Sequence, residues 1–524
     1  MKSLDFDSLR SVVNKNSYPV DAGSLQPEGW SLANEKWSNI VDKMERKGIP
    51  LEEFVSDSIY YGIKTGYNTA FFIDSDTKEE LIQKDQKNAE IIKPLLVGDD
   101  ARRYYTKNKD QWLIYTPWEL DIDQYPDIKE YLSNWKEELS NRPECDSGRF
   151  EWWALARYGS DYQYAFKDSK IVYPVIAMSP RFAIDDGGHY INDKLYMIPE
   201  ENYYLLSLLN SDLLFEIAKL RVSVLGDENS GGRLELRATH LKELPICDLP
   251  TNDSVTVDID YLINKDNAAD YIVNQLEPTE TRNAISQLGE IMSRNVNAKK
   301  LLNLSLLDHL GAYDEGSTLA DIGFTQPPRG SAESILQETA SEKPNLRVGE
   351  ASVVRESTNT VEIRLTARYK PGEARPEGGS RTGTGTARGG GEDDALDESD
   401  FETDQWGYTE TDPQAALRIT DLTETEADLI EAFVPVAVDE AGGFAGFRET
   451  ATKTNSLVDR LRKLTLPRVA DVEAGLAGYL ETNARAEELE AKIESTDALI
   501  DEIVYELYGL TDEEIEIVEE AVGE

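Results

Sequence analysis

Two periodicities alternate along the first half of this chain. Short apolar runs with β-branched and aromatic residues read as strands: Ala70-Phe-Phe-Ile73, Trp112-Leu-Ile-Tyr-Thr116, Ile171-Val-Tyr-Pro-Val-Ile-Ala177, Arg181-Phe-Ala-Ile184 and Leu195-Tyr-Met-Ile198. Asp185-Asp-Gly-Gly188 is a hairpin turn signal leading into His189-Tyr-Ile191. Between the strands the period lengthens to 3.6. Pro126 opens a helix with Ile128, Tyr131, Leu132, Trp135 and Leu139 on one face. Pro199-Glu-Glu opens another that points Tyr203, Leu206, Leu209 and Leu213 inward. Such stripes at helical spacing are core packing. The alternation predicts a mixed α/β fold.

The second half reads differently. Residues 278–310 are expected to be helical, and 346–369 to form two strands around Ser357-Thr-Asn359. The stretch from Pro371 to Asp400 is dense in Gly, Arg and Thr, then acid, and reads as a flexible linker. Beyond it, Leu476, Tyr479, Ala486, Leu489, Ile493, Ile500, Ile503 and Leu507 recur at sums of threes and fours. That is one apolar seam, and it calls for a partner helix from this chain or another. Gly509 stops the helix, Thr511-x-x-Glu514 opens a short last one, and Gly442-Gly443-Phe444 reads as a helix break.

Composition bounds the function classes. A chain of 524 residues with 40% hydrophobic content is long enough for two to four domains without disulfide support. Its two cysteines, Cys145 and Cys247, make neither a disulfide framework nor a metal cluster, so a reducing cytoplasm is expected. There is no run of membrane-span length and no signal-peptide core near Met1, which predicts a soluble protein. The net charge of −46, mostly carried after residue 250, argues against nucleic acid at first sight. Spread acidity with scarce Lys in the second half also looks like a halophilic proteome. At about 1 M salt the screening length is only ~3 Å, and long-range repulsion from DNA largely disappears.

Cations at glycine-flanked loops reopen the question. Lys64, Thr65 and Asn68 lie in Gly62-Ile-Lys-Thr-Gly-Tyr-Asn-Thr-Ala-Phe-Phe-Ile73. Arg102 and Arg103 end Ile92-Lys-Pro-Leu-Leu-Val-Gly-Asp-Asp-Ala-Arg-Arg-Tyr-Tyr105, and Arg157 sits in Trp152-Trp-Ala-Leu-Ala-Arg-Tyr-Gly159. Lys167, Lys170, Arg181, Arg233 and Arg237 complete the set. A sequence reader needs such cations for phosphates and planar or amide groups for base edges. The bland reading of each is a solvated cation beside a surface carboxylate, which is common in so acidic a chain. Pro126-Asp127 with Asp168-Ser169-Lys170 formally matches a metal-nuclease pattern, but Asp127 at a helix start is explained by the helix dipole. His189, His240 and His309 lack ligand spacing, and no metal site is expected.

The two long segments quoted above, Trp112-Leu-Ile-Tyr-Thr116, Lys170-Ile-Val-Tyr-Pro174 and Tyr190-Ile-Asn-Asp193 occur in that order and close at Leu241-Lys-Glu-Leu-Pro-Ile246. In this, residues 28–248 resemble the TaqI-like target-recognition domain of adenine-specific DNA methyltransferases and fused restriction-modification enzymes. The tail from Ile500 to Glu514 resembles the carboxyl ends of the same family. The acid-rich Asp227-Glu228 before Gly231-Gly232-Arg233 departs from its usual shorter glycine turn.

The resemblance implies a recognition domain of twisted sheet plus helices, followed by a mostly helical acidic carboxyl-terminal region. It implies double-stranded DNA as ligand, bound through Lys64, Thr65, Asn68, Arg102, Arg103, Arg157, Lys167, Arg181, Arg233 and Arg237. The expected organisation is 1–27 as a linker from a catalytic domain upstream, 28–250 as recognition domain and 251–345 as helical spacer. A strand pair at 346–369, a linker at 370–400 and a helical domain at 401–524 follow. No Asn-Pro-Pro-Tyr loop is present, since Pro327-Pro328 lies between Gln326 and Arg329, and no methyl-donor glycine turn appears. No catalytic residue is therefore expected, and S-adenosylmethionine is assigned to a partner methyltransferase domain or subunit. The alternatives are a magnesium-dependent endonuclease using Asp127, Asp168 and Lys170, and an acidic interaction or scaffold protein.

Overall fold

Gly62 shows how two sheets of the first half are joined. Its amide donates to the Leu195 carbonyl at 3.0 Å, and a Cβ there would overlap the Asn192 carbonyl, so only glycine lets the strands come this close. This is a computed structural model. It describes residues 35–523 apart from 108, 226–232, 253–254, 329–333, 340–342, 344, 372–402 and 449–453. The expected linkers at 1–27 and, but for its first two residues, 370–400 lie outside those residues.

With 47% of residues helical and 20% in strands, the chain is mixed α/β. Two units emerge: residues 1–301 with 488–524, and residues 302–487. This partition runs differently from the segment-by-segment division expected from the sequence. The first unit contains two four-stranded sheets. One is antiparallel, in the order Ala183–Asp185, Lys170–Pro174, Leu195–Ile198, Tyr60–Tyr61. The other runs Tyr190–Ile191, Ile92–Leu96, Trp112–Ile114, Phe72–Ile73, with its first pair parallel. Between them Ile63 bridges Asn192.

Several expected elements change at their ends, each for a local reason. Only Phe72–Ile73 of the 70–73 run is strand, because Asn68–Phe71 winds one helical turn after the Thr65 hydroxyl takes the Tyr67 amide at 3.1 Å. The 171–177 run divides at Val175. Its amide bonds the Lys194 carbonyl at 2.9 Å and its carbonyl takes the Leu236 amide at 2.7 Å, so Ile176–Ala177 enters a separate sheet with Arg233–Glu235 and Ser223–Leu225. Asp185–Gly188 is not a hairpin. The Asp185 carboxylate accepts the amides of Gly187 (3.2 Å) and His189 (3.1 Å), and the chain crosses to pair Tyr190–Ile191 with the other sheet.

The helix opened by Pro126 is two short ones, Pro126–Ser133 and Lys136–Ser140, with Ile128, Leu132 and Leu139 fully buried as the stripe required. The helix expected from Pro199 starts at Tyr203 instead, where the Asn202 side chain accepts the Leu205 amide at 2.9 Å. The 278–310 helix is likewise two, Pro278–Lys300 and Leu306–Leu310, the second capped by Ser305. These helices and both sheets enclose two cores, one around Leu205, Leu209, Ile285 and Leu288, the other around Phe71, Leu113, Ile114 and Ile191.

In the second unit, Arg347–Ser357 and Thr360–Tyr369 pair as expected, but inside a larger antiparallel sheet. Gln414–Thr420, Phe324–Gln326 and Thr409–Glu410 complete five strands, and Glu424–Glu440 packs against them. That helix ends at Glu440, and Gly442 and Gly443 follow with φ of 58° and 61°, the expected break. The seam of the long helix Val469–Tyr508 serves two cores. Val472 and Leu476 join the sheet of the second unit, whereas Ile500, Ile503 and Leu507 join the helical core of the first. The partner of the seam is therefore within the chain. Gly509 turns with φ of 71°, and the Thr511 amide donates to Glu514 at 2.8 Å to open Asp512–Gly523. Among the described residues no helix is long and apolar enough to cross a membrane.

Candidate nucleic-acid interface

A one-residue bridge makes the first cleft. Lys64 and Arg157 face each other as an antiparallel pair, with amide-to-carbonyl bonds of 3.0 and 2.9 Å in the two directions. Both side chains are exposed, and both line a cleft of about 280 Å³ with Arg149, Trp118, Tyr158 and Tyr162. Glu144 and Asp161 lie on the same wall, so the cleft is cationic by a narrow margin. The Arg157 guanidinium lies 5.3 Å from the centre of the Tyr61 ring, and Tyr162 stacks on Tyr60 at 4.5 Å. Planar rings beside cations suit both bases and phosphates.

Arg237 extends this face. Its charge, with that of Arg157, acts on both Tyr61 and Tyr196, whose rings lie 5.0 Å apart. Burial raises the pKa of Tyr61 above the usual phenol value, with Asp193 adding to it; the two arginines pull the other way. Arg237 also pairs with Glu235 at 2.7 Å, which places residues 235 and 237 on one side of the extended segment.

Arg233 begins that segment and lines a second cleft, of about 430 Å³. Arg181, Lys194, Asp99 and the run Pro174–Met178 form its walls, with Met178 56% exposed. Arg102 stands beside it through an ion pair to Asp99 at 3.5 Å. The Asp99 turn is held by fully buried Asp100, which accepts the Val97 amide at 2.7 Å and pairs with Lys109 at 3.0 Å.

The five cations Lys64, Arg102, Arg103, Arg157 and Arg181 thus do not line a single groove. Arg103 is turned inward, bound to Asp497 at 2.5 Å and to the Asn210 carbonyl at 2.7 Å. Thr65 is 2% exposed, its hydroxyl donating to Asn68 Oδ1 at 2.6 Å. Those bonds occupy Arg103 and Thr65 within the protein. Asn68 and Lys167 are exposed but line neither cleft.

Three residues that matter here were not singled out by the sequence. Lys194 follows the Tyr190–Asp193 landmark by one step, and Arg149 lies three residues before the Trp152–Gly159 run. Buried Arg142 carried no signal. Its guanidinium bonds three carbonyls, those of Leu139 (2.8 Å), Thr65 (2.6 Å) and Trp152 (2.7 Å), and so fixes the loop that presents Lys64.

Of the nuclease candidates, Asp127 and Lys170 are absorbed by structure, while Asp168 is exposed and only its carbonyl meets Lys170 Nζ, at 3.2 Å. Lys170 is fully buried against Asp185 at 2.7 Å, and Asp185 also binds His189 Nδ1 at 2.7 Å. Burial lowers the Lys170 pKa. For Asp185, burial works against ionisation, yet the His189 hydrogen bond and the Lys170 charge outweigh it and hold the carboxyl below its usual range. Asp127 sits in the first turn of its helix and takes the Asn88 amide at 3.3 Å. No group of three or more His, Cys, Asp or Glu side chains that could hold a metal occurs among the described residues.

Comparison with known proteins bears on this geometry directly. Residues 93–246 match the TaqI-like C-terminal specificity domain. That segment holds the strand Ile92–Leu96 from its second residue, the cleft arginines Arg149, Arg157, Arg181 and Arg233, and the close at Pro245–Ile246. Two curated relatives are similar over a comparable stretch. One is the Type II methyltransferase M.BanIII of Aneurinibacillus aneurinilyticus, 26% identical over 220 residues, which are 39% of this chain and 36% of that protein. The other is the Type II methyltransferase M.BstVI of Geobacillus stearothermophilus, 22% identical over 235 residues, 44% of this chain and 40% of that protein. The chain therefore spans well under half the length of these relatives. Among solved structures, the Type IIL restriction-modification enzyme MmeI in complex with DNA matches 44% of this chain and 32% of its own at 13% identity, with a TM-score of 0.29. The resemblance read from the sequence landmarks is thus borne out over the specificity domain.

Proposed function

We propose that this chain is the DNA-recognition module of an adenine-specific methyltransferase or restriction-modification system, docking a duplex for a separate methyltransferase domain or subunit. The observation that carries the reading is the specificity-domain match over 93–246, together with exposed Arg157, Arg233 and Arg237 and half-buried Arg181 on strands and turns of that segment. Lys64 joins them through its bridge to Arg157. On this reading the cations along Lys64, Arg157 and Arg237 hold phosphates, and the wider cleft with Arg181, Arg233 and Lys194 meets base edges. S-adenosylmethionine and the loop that holds the flipped adenine belong to the catalytic partner. The cytoplasm is the compartment such a system requires.

The test is duplex binding by the whole chain, followed by fluorescence anisotropy across a salt series. Lys64→Gln with Arg157→Gln is expected to weaken a mixed-sequence duplex by about 10-fold or more and to flatten the log–log salt slope by roughly 1.8, two phosphates at about 0.9 each. An unchanged slope with unchanged affinity would remove this face from DNA contact.

A further inference from the structure

A like-charge pair sits where an antiparallel sheet least tolerates one. In the second unit, Arg347 and Arg368 are direct cross-strand partners. Lys370 lies two residues beyond Arg368, just past the end of its strand at Tyr369. All three cations converge on one ring: Arg347 lies 4.6 Å, Lys370 5.0 Å and Arg368 5.1 Å from the centre of Tyr408. Asp404 supplies an ion pair to Arg368, and its other oxygen takes the amides of Trp406 (2.8 Å) and Tyr408 (2.9 Å). Among the described residues one carboxylate, Asp404, ion-pairs with these cations, while Glu410, opposite Arg368 on its other side, takes the Thr366 hydroxyl. The turn that Asp404 orders holds the Trp406 side chain out in solvent, 68% exposed.

We propose that this patch is a second nucleic-acid contact, binding a single strand with phosphates on Arg347, Arg368 and Lys370 and one unpaired base stacked on Trp406. Three observations favour a polynucleotide over an acidic protein. Clustered cations alone would suit any polyanion, whereas an exposed indole beside them offers a flat apolar face matched to a base. Arginine spacing across neighbouring strands is a few ångströms, within reach of one phosphate or two successive ones. The Tyr408 ring under the cations keeps their stems fixed, so little side-chain freedom is lost on binding. The site lies outside the segment matched to the specificity domain and does not depend on the reading proposed above.

The experiment uses the full chain and a fluorescein-labelled oligothymidylate of about 15 nucleotides, read by anisotropy over a salt series. Arg347→Gln with Lys370→Gln is expected to weaken binding by about 10-fold or more and to flatten the salt slope by roughly 1.4. Trp406→Ala is expected to weaken it by at least about 5-fold, and Trp406→Phe to recover most of that loss. Arg347→Gln relieves cross-strand repulsion, so its thermal midpoint should match or exceed that of the parent, which separates lost binding from lost folding. In the Lys64→Gln, Arg157→Gln background the single strand should still bind. Loss of oligothymidylate binding in that background, with the Arg347, Lys370 and Trp406 variants unaffected, would overturn the proposal and leave the first unit's reading intact. Equal displacement by polyglutamate of the same charge would also overturn it, since a base would then contribute nothing.

Discussion

The two units differ in how deep their strongest charged contacts lie. In the first, some are sunk fully into the fold, Lys170 with Asp185 and Arg142 on three carbonyls, beside surface pairs such as Arg237 with Glu235. In the second they lie on the surface of the sheet, as in Arg364 with Glu362, Arg418 with Glu356 and Arg355 with Asp428 and Glu431. Removing one partner of a buried charged group leaves the other without compensation and costs several kcal/mol, whereas a surface pair contributes at most about 1 kcal/mol. The comparison teaches where to look for ligand contacts. In the first unit the buried charges hold loops, so the cations left at the surface, Lys64 and Arg157 among them, are available for something else. Among the described residues of the second unit, Arg355, Arg364, Arg368, Arg418 and Arg468 are ion-paired with carboxylates, and Arg347 with Lys370 stands out by its contact with the Tyr408 ring.

Arg142→Ala is the sharpest way to break this contrast. It strands three carbonyls around the loop carrying Lys64 and is expected to lower stability by about 3–5 kcal/mol in chemical denaturation. A cost near that of a surface pair would erase the difference between the units.

Asp501 gives an intermediate effect with a definite pH signature. Burial, then the neighbouring Asp212, and after it Asp497, push its pKa up to about 7, although the Asp212 amide donates to it at 2.8 Å. The folded state then holds a proton that the unfolded state has released, so stability falls as pH rises from about 4 through 7 and levels above. Asp501→Asn is expected to raise stability at pH 8 by up to about 4 kcal/mol and to flatten that decline, with less gain toward pH 4. A thermal midpoint with the same pH profile in both proteins would show that the Asp212, Asp497 and Arg103 surroundings do not strain this carboxylate.

The smallest effect belongs to Arg355→Ala. Its partners Asp428 and Glu431 are part-exposed, so the loss should be about 1 kcal/mol or less and should shrink further in molar salt. A larger cost would mean that the second unit also relies on its ion pairs, and the line drawn between the two units would have to move.

Much of the first unit's fold was legible because strands here are short and marked by their own residues. Leu195–Ile198 and the pair 347–369 fall where alternation and turn chemistry put them, and Gly62 and Gly509 sit where the backbone needs glycine. Strand partners were not legible. The Asp185–Gly188 signal was correct for a turn, but which strand follows was settled by an aspartate binding two amides and sending the chain to another sheet. Phe324–Gln326 and Thr409–Glu410 carry too short a pattern to be seen alone, Gln414–Thr420 lies in a stretch expected to be helical, and all three exist as neighbours of a longer pair. Among site residues, the sequence could nominate cations beside glycines. It could not tell that Arg103 turns toward Asp497 while Arg157 faces outward, because a side chain's direction depends on partners far away in the chain.

By itself, then, the sequence determined most element types of the first unit, the glycine hinges, the seam of the last long helix and the run of landmarks that resembles a specificity domain. Those are set by local sterics and by the period at which apolar side chains repeat. The tertiary structure alone decided that one seam feeds two cores, that Lys170 is neutralised in the interior, and that Lys64 meets Arg157. Each of these needs long-range burial, which lowers the local dielectric and makes charge pairing a condition of folding.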